Sequence, residues 1–426
     1  MIVSLVKQVP EILGQTSDVL IRSTRVLGHG PEPVDVLLSA GHIFAIGKQL
    51  ATNGGMVIDA SGGMLTPSFV ELHCHLDAAL TAGTPRPNNS GTLWEGIELW
   101  SEIKPSLDEI SVYRRAHQAV LAMLEKGVTH VRSHVDICDP GLTALRALLR
   151  LREDLRGLVE LQLVAFPQEG LYSYADGLSL MREAIHLGVD CVGGIPHYEM
   201  TREDGVRSVE TVMQLAHDNN LLVDIHCDEI DDDQSRFVEV MAAQTIRLDM
   251  NGRVTASHLT ASHSYNGAYA NKLLALMKRS GLHVVTNPLD NSVLQGRFDD
   301  YPKRRGHARV KELLSAGLNV ACGQDSFMDP WYPMGDGDPL KAAFVLMHYA
   351  QLIGSDERPW LFRMLTEMPA TAFGMKQHAV VEGSSANLIL WDVPSEDEAL
   401  RHLPSRRTVL RNGVIVAKDE TINTTD

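Results

Sequence analysis

The sequence predicts an α/β fold: a closed (β/α)8 barrel of TIM type, with a small β-sandwich domain built from both termini. Three observations predict it. Eight short apolar runs bounded by turn signals alternate with helix-period segments through the middle of the chain. Both ends read instead as short strands broken by Gly and Pro. No Gly-x-Gly-x-x-Gly follows the first apolar run, which counts against the rival open, doubly wound sheet.

Taken in order, DVLIRSTRVL, PVDVLLSAGHIFAIG and GGMVIDASGG supply the N-terminal strands. The barrel runs are GGMLTPSFVEL, GVTHVRSHV, ELQLVAF, DCVGGI, LLVDI, RVTASH, LHVVTN and LNVACG. Between them lie SVYRRAHQAVLAMLEKG, LTALRALLRLREDL, SLMREAIHLG, SVETVMQLAHDNN, AYANKLLALMKRSG and ARVKELLSAG, apolar at helical spacing. Several end in Gly, which closes a helix in the left-handed conformation. Strand–helix alternation implies parallel pairing, and eight units in about 260 residues match a closed barrel. ANLILWDV and RRTVLRNGVIVAK complete the chain, with Asn412-Gly413 as a two-residue hairpin turn. The expected division is 1–65 with 380–426 in the small β domain and 66–379 in the barrel.

Composition bounds the partners. The 426 residues are 44% hydrophobic and 22% charged, enough to bury a large core. A formal net charge of −16 argues against nucleic acid, whose phosphates demand a basic surface. Five dispersed cysteines without a Cys-x-x-Cys pair read as reduced thiols of a cytoplasmic protein. No run reaches the roughly 18 apolar residues of a membrane span. The leading MIVSLVKQVPEILGQTSD, interrupted by Lys7 and Pro10, lacks the apolar stretch of a signal peptide.

Chemistry on such a barrel sits just past the C-terminal ends of its strands. The first run ends in ELHCHLD, and the two-residue spacing puts His73 and His75 on one face of an extended chain. The fifth ends in VDIHCDEID, with His226 and Glu229; the sixth ends at His258; the eighth ends at Asp325. Four histidines and an aspartate at one end of the barrel point to one divalent metal, Zn2+ or Fe2+. Such an ion lowers the pKa of bound water to about 7. Glu229 can then carry the proton to a leaving group. Asp325 can ligate the ion and accept a hydrogen bond. His258 can ligate or polarise the attacked centre, two roles that the spacing leaves open.

This arrangement resembles the amidohydrolase superfamily. SGTLWEGIELW (90–100), VAFPQEG (164–170), IPHYEMTREDGV (195–206), HCDEIDDDQSRF (226–237), SHSYNGAY (262–269), QGRFDDYPKRRG (295–306) and DPWYPMG (329–335) resemble bacterial cytosine deaminase. The resemblance runs from about residue 60 to 390. It implies that His73, His75, His226 and Asp325 hold the metal, that Glu229 carries protons and that His258 orients the hydroxide. Gln168 would bind the O2/N3 amide edge of a pyrimidine, with Leu93 and Trp331 lining the pocket and Phe166 nearby. The implied partner is a small nucleobase-like substrate, and the implied assembly a homo-oligomer. The implied reaction is hydrolytic deamination of a small cyclic amidine, cytosine to uracil plus ammonia first.

One departure bears on the substrate. Where the family usually reads Gly-His-Asp-Asp, this chain reads Gly323-Gln324-Asp325-Ser326. Ser326 therefore replaces a carboxylate that lies beside the substrate in the family. It is shorter, neutral, and both donor and acceptor. An unmatched buried polar group costs about 1–3 kcal/mol, so such a change can retune the ring accepted. The alternatives are a 5-substituted cytosine, isoguanine, a pterin, creatinine or an aminotriazine such as an N-alkylammelide. A ring-opening cyclic amidohydrolase is the same-fold rival, but the bridging lysine it often carries is missing from the end of the fourth run, DCVGGIPHYE. The complete His-x-Glu…Pro-Cys-x-x-Cys signature of polynucleotide deaminases is absent.

The remaining polar residues have plainer readings. His134 is expected as a hydrogen-bonded rim or core residue, and His197 as support for the site. The run Asp231-Asp232-Asp233 is expected to cap a helix starting near Gln234. His263 and the basic run 303–305 are expected to serve structure or a subunit contact.

Overall fold

The computed structural model describes residues 18–52, 54–404, 407–418 and 424–425, so the leading segment read above for an export signal lies outside the described residues up to residue 17. Alternating apolar positions form β1 (Val19–Val26), β2 (Val34–Ser39) and β3 (His42–Gly47), an antiparallel meander. Its second turn, Ala40-Gly41, takes φ values of +49° and +80°, the paired left-handed conformation of a tight hairpin. Within β1 a bulge between Ile21 and Thr24 leaves Ser23 at φ +53°. Residues before the bulge pair in parallel with β4 (Met56–Asp59), and those after it with β5 (Met64–Pro67).

The run GGMLTPSFVEL, expected as one barrel strand, is two strands. Pro67 has no N–H to donate, and Ser68 separates β5 from β6 (Phe69–Cys74), where the barrel begins. There follow β7 (Val128–Asp136), β8 (Glu160–Phe166), β9 (Cys191–Gly194), β10 (Leu222–Cys227), β11 (Val254–His258), β12 (His283–Thr286) and β13 (Val320–Cys322). Each pairs in parallel with the next. A parallel bridge between Cys74 and Asp325 closes the ring. In that bridge Asp325 N–H donates to the His73 carbonyl (2.8 Å) and His75 N–H to the Asp325 carbonyl (3.2 Å). Closure of the barrel therefore fixes the register of three candidate ligands at once.

Helices cover the outside, among them Glu109–Glu125, Thr143–Asp154, Gly177–Leu187, Arg202–Asp218 and Gly267–Ser280. Each buries one apolar stripe, as in Val112, Ala116, Ala119, Val120 and Met123. Asp108, Thr201 and Asn266 cap three of them by accepting a backbone N–H in the first turn. The acidic run 231–233 is not a cap. The helix there starts at Phe237, and its first N–H groups donate to Asp228 (2.8 and 3.0 Å). Asp231 is occupied elsewhere, accepting from Gly296 N–H and facing Arg304. Among the described residues, no helix is long and apolar enough to cross a membrane.

Three further helices, Pro339–Tyr349, Arg358–Arg363 and Glu367–Phe373, lead from β13 to β14 (Leu388–Leu390). β14 pairs antiparallel with β5 and with β15 (Thr408–Arg411), which pairs with β16 (Val414–Ala417). Asn412 and Gly413 take φ of +49° and +77°, the expected hairpin turn. Both ends of the chain thus share one nine-stranded mixed sheet over its own core of Val19, Ile21, Leu38, Ile58, Leu65 and Leu388. Arg407 fastens this sheet to the barrel side, its guanidinium over Trp391 (4.6 Å) and against buried Asp338 (3.1 Å).

Candidate active site

The ends of β6, β10 and β13 bring His73, His75, His226 and Asp325 together, all buried, with one ligand atom of each within 4.8 Å of the others. His75 Nε2 lies 3.1 Å from His226 Nε2, and Asp325 Oδ1 lies 3.3 and 3.4 Å from Nε2 of His73 and His75. A four-coordinate ion with bonds of 2.0–2.1 Å has donor–donor edges of about 3.3–3.4 Å. The separations thus match such an ion. His73 Nε2 has no hydrogen-bond partner, so its lone pair is free for a cation. Three imidazoles with one carboxylate suit zinc or ferrous iron.

Backbone strain helps aim these groups. His258 and Asp325 sit at φ +73° and +70°, a region that disfavours residues with a Cβ. Such strain costs on the order of 1–3 kcal/mol and persists only where neighbours over-determine it. For Asp325 the bridge to β6 does so. For His258 the next residue, Leu259, donates its N–H to the Cys227 carbonyl (3.0 Å).

Glu229 Oε1 stands 3.1 Å from His258 Nδ1, and His258 Nδ1 stands 3.7 Å from Asp325 Oδ2. Burial, reinforced by the Asp325 charge, pushes the Glu229 carboxyl well above the usual carboxylate range. Burial pushes His258 well down. An acid able to release a proton and a neutral imidazole able to accept one therefore adjoin the ligand cluster. Asn291 Nδ2 holds Glu229 (3.2 Å), and Asn287 Nδ2 lies 3.3 Å from His258 Nδ1. Sequence reading missed both asparagines. Their signal was Asn287-Pro288 past the seventh run, with Pro288 opening the short helix Pro288–Leu294.

Above the cluster lies a small cavity whose walls include Leu93, Gln168, Glu229, Asp290, Ser326 and Trp331. Apolar walls with a few convergent polar groups are the usual make-up of a small-molecule site. The Trp331 indole packs where a Cβ on Gly96 would come within 2.3 Å, so only glycine leaves it room. Phe166 is fully buried and stacks on the His226 ring (4.1 Å, 18°), backing that histidine and standing outside the cavity wall. Ser326 Oγ donates to Asp290 Oδ2 (2.5 Å). Asp290, also missed, sits on the same short helix as Asn291, and burial with the Asp325 charge raises its carboxyl well above the ordinary range.

The other polar residues fall into place around this centre. His134 is a core residue with its ring 4.1 Å from that of His73, but neither ring nitrogen makes the expected hydrogen bond, Nε2 standing 3.4 Å from Asp224 Oδ1. Burial pushes it down to about 3, hence neutral. Burial likewise brings His197 to about 3. Lys303, Arg304 and Arg305 donate to carbonyls of Gly296, Asp231 and His348, tying down the loop beyond the short helix. His263 packs edge-on against His307.

Comparison with known proteins agrees with this arrangement. The crystal structure of 5-methylcytosine deaminase from Klebsiella pneumoniae liganded with 5-fluorocytosine is 43% identical, with a TM-score of 0.91, covering 94% of this chain and 98% of that one. N-isopropylammelide isopropyl amidohydrolase of Pseudomonas sp. (strain ADP) is 27% identical over 95% of this chain and 98% of its own. The structure of N-isopropylammelide isopropylaminohydrolase from Burkholderia multivorans is also 27% identical, with a TM-score of 0.83, covering 96% of this chain and all (100%) of that one. The profile of the amidohydrolase family matches residues 56–417. With most of its length matched and its histidines and aspartate gathered as a metal-dependent hydrolase requires, the chain belongs to the amidohydrolase family and hydrolyses carbon–nitrogen bonds.

Proposed function

We propose that the protein deaminates cytosine bearing a small 5-substituent, converting 5-methylcytosine and water to thymine and ammonia, with cytosine itself a secondary substrate. The observation that carries this reading is Ser326 in the cavity wall where cytosine deaminases carry a carboxylate. The similarity to a 5-methylcytosine deaminase supports it. Cytosine, the first expectation from sequence, moves to second place because the shorter side chain leaves space beside the ring.

In this reading His73, His75, His226 and Asp325 hold a single Zn2+ or Fe2+, which when bound lowers the pKa of water to about 7. The residues of the chain do the rest. Leu93 and Trp331 confine the ring, and the Gln168 amide meets its O2/N3 edge. Glu229 delivers a proton to the ring nitrogen next to the reacting carbon. His258 and Asp325 accept hydrogen bonds from the attacking water and fix its line of approach. The water oxygen bonds to the ring carbon. Of its two protons, one reaches the exocyclic amine and the other returns to Glu229 in place of the one given to the ring nitrogen, and the exocyclic C–N bond breaks to release ammonia. C5 flanks the reacting carbon on the side away from that ring nitrogen, and the proposal sets it against Ser326 in the cavity wall. The proposal includes a homo-oligomer in a reducing cytoplasm, in keeping with five buried, unpaired cysteines.

Restoring the carboxylate tests the assignment. Ser326→Asp is expected to lower kcat/KM for 5-methylcytosine at least about tenfold relative to cytosine, since tenfold is about 1.4 kcal/mol and one mismatched buried polar group costs about 1–3 kcal/mol. An unchanged ratio would remove Ser326 from specificity.

A further inference from the structure

We infer that a buried relay, Arg132–Asp224–Ser257, fixes the tautomer and orientation of His73 and thereby sets the affinity of the metal centre. This rests on the proposed role of His73 as a ligand. His73 Nδ1 lies 2.9 Å from Ser257 Oγ, and Ser257 Oγ donates to Asp224 Oδ1 (2.7 Å). A hydroxyl has one proton. Committed to the Asp224 carboxylate, it leaves only a lone pair facing His73, so Nδ1 must carry the imidazole proton. Nε2 is then bare, and Nε2 is the atom turned to Asp325 and the other ligands.

The rest of the relay keeps that commitment from reversing. Asp224 Oδ2 accepts from Arg132 Nη1 (2.9 Å), and Arg132 is held further by Gln162 and the Ala372 carbonyl. His73, Arg132, Asp224 and Ser257 are each 0% exposed, so no bulk water competes for these bonds. Each Asp224 oxygen faces a committed donor, Arg132 on one side and Ser257 on the other, so the carboxylate acts as acceptor in both bonds. Pairing of β10 with β11 sets His226 beside Ser257, so the strand that brings one ligand also brings the partner of another. His73, His134 and Asp224 could themselves be read as a ligand trio. The oxygens of Asp224 are taken by Ser257 and Arg132, which leaves the relay as the better account. Outer partners of metal-binding histidines act this way generally, and losing one costs about 10–100-fold in metal affinity.

The test is Zn2+ affinity of the full chain by competition with a chromophoric chelator. Ser257→Ala and Asp224→Asn are expected to weaken binding about 10–100-fold, measured on metal-free protein that still unfolds in a cooperative denaturant transition, whose midpoint falls because buried partners are lost. Affinity equal to the parent's in a folded Ser257→Ala protein would overturn the relay. A parent that binds no Zn2+ or Fe2+ would overturn the ligand assignment and the relay with it. Should either variant not fold, 15N NMR of the metal-free parent decides, with the His73 signal assigned by its loss in His73→Asn. The Nδ1–H tautomer is expected, and the Nε2–H tautomer would contradict the inference.

Discussion

Glu229→Gln is expected to retain the metal and the fold but to lose at least about two orders of magnitude in kcat, the usual scale for a general acid–base group. The amide preserves the shape of the carboxyl and an oxygen for Asn291, whose Nδ2 lies 3.2 Å from Glu229 Oε1. It cannot hold and release a proton. Glu229 suits that task because burial and the charge of Asp325 keep its carboxyl well above the usual range. Ammonia release at saturating substrate, alongside metal content by atomic absorption, measures the two effects separately. KM should change little, since the loss lies in proton delivery and the ring contacts proposed for Gln168 and Trp331 are untouched. A rate near the parent's would transfer the proton-carrying role to another group, of which His258, 3.1 Å away, is the nearest.

Removing the metal is expected to abolish turnover, and Zn2+ or Fe2+ to restore it. His75 Nε2 lies 3.1 Å from His226 Nε2 and 3.4 Å from Asp325 Oδ1, the spacing of donors around a single cation. The remaining residues position water but cannot make it a strong nucleophile at neutral pH. Dialysis against a chelator, then stepwise return of each ion while following ammonia release, provides the measurement. Full activity in protein shown to be metal-free would remove the ion from the mechanism.

Much of this was legible in the sequence, for physical reasons. Strand periodicity and turn residues are local, so eight apolar runs marked eight barrel strands, and His73 and His75 declared themselves through two-residue spacing. Asn412-Gly413 marked its hairpin because few residues tolerate paired positive φ. What stayed hidden depends on partners distant in sequence. Pro67 ends one strand because β14 waits to pair with β5, which a continuous apolar run conceals. The acidic run 231–233 resembled a cap, yet the N–H groups fell to Asp228 from the strand end. The strained φ of His258 and Asp325 has no composition signature in a residue other than glycine. Asp224 and Ser257 read as ordinary polar interruptions of buried strands. Only the closed barrel places them beneath His73, and only the short helix after β12 sets Asp290 against Ser326.

The most direct test of the account is ammonia release by metal-reconstituted protein from 5-methylcytosine, beside cytosine, isoguanine, creatinine, a pterin and ammelide. The account predicts that 5-methylcytosine gives the highest kcat/KM, with thymine and ammonia formed in equal amounts and cytosine next. Fast release from a non-pyrimidine ring, with both cytosines poor, would contradict it and assign the cavity between Gln168 and Ser326 to a different substrate.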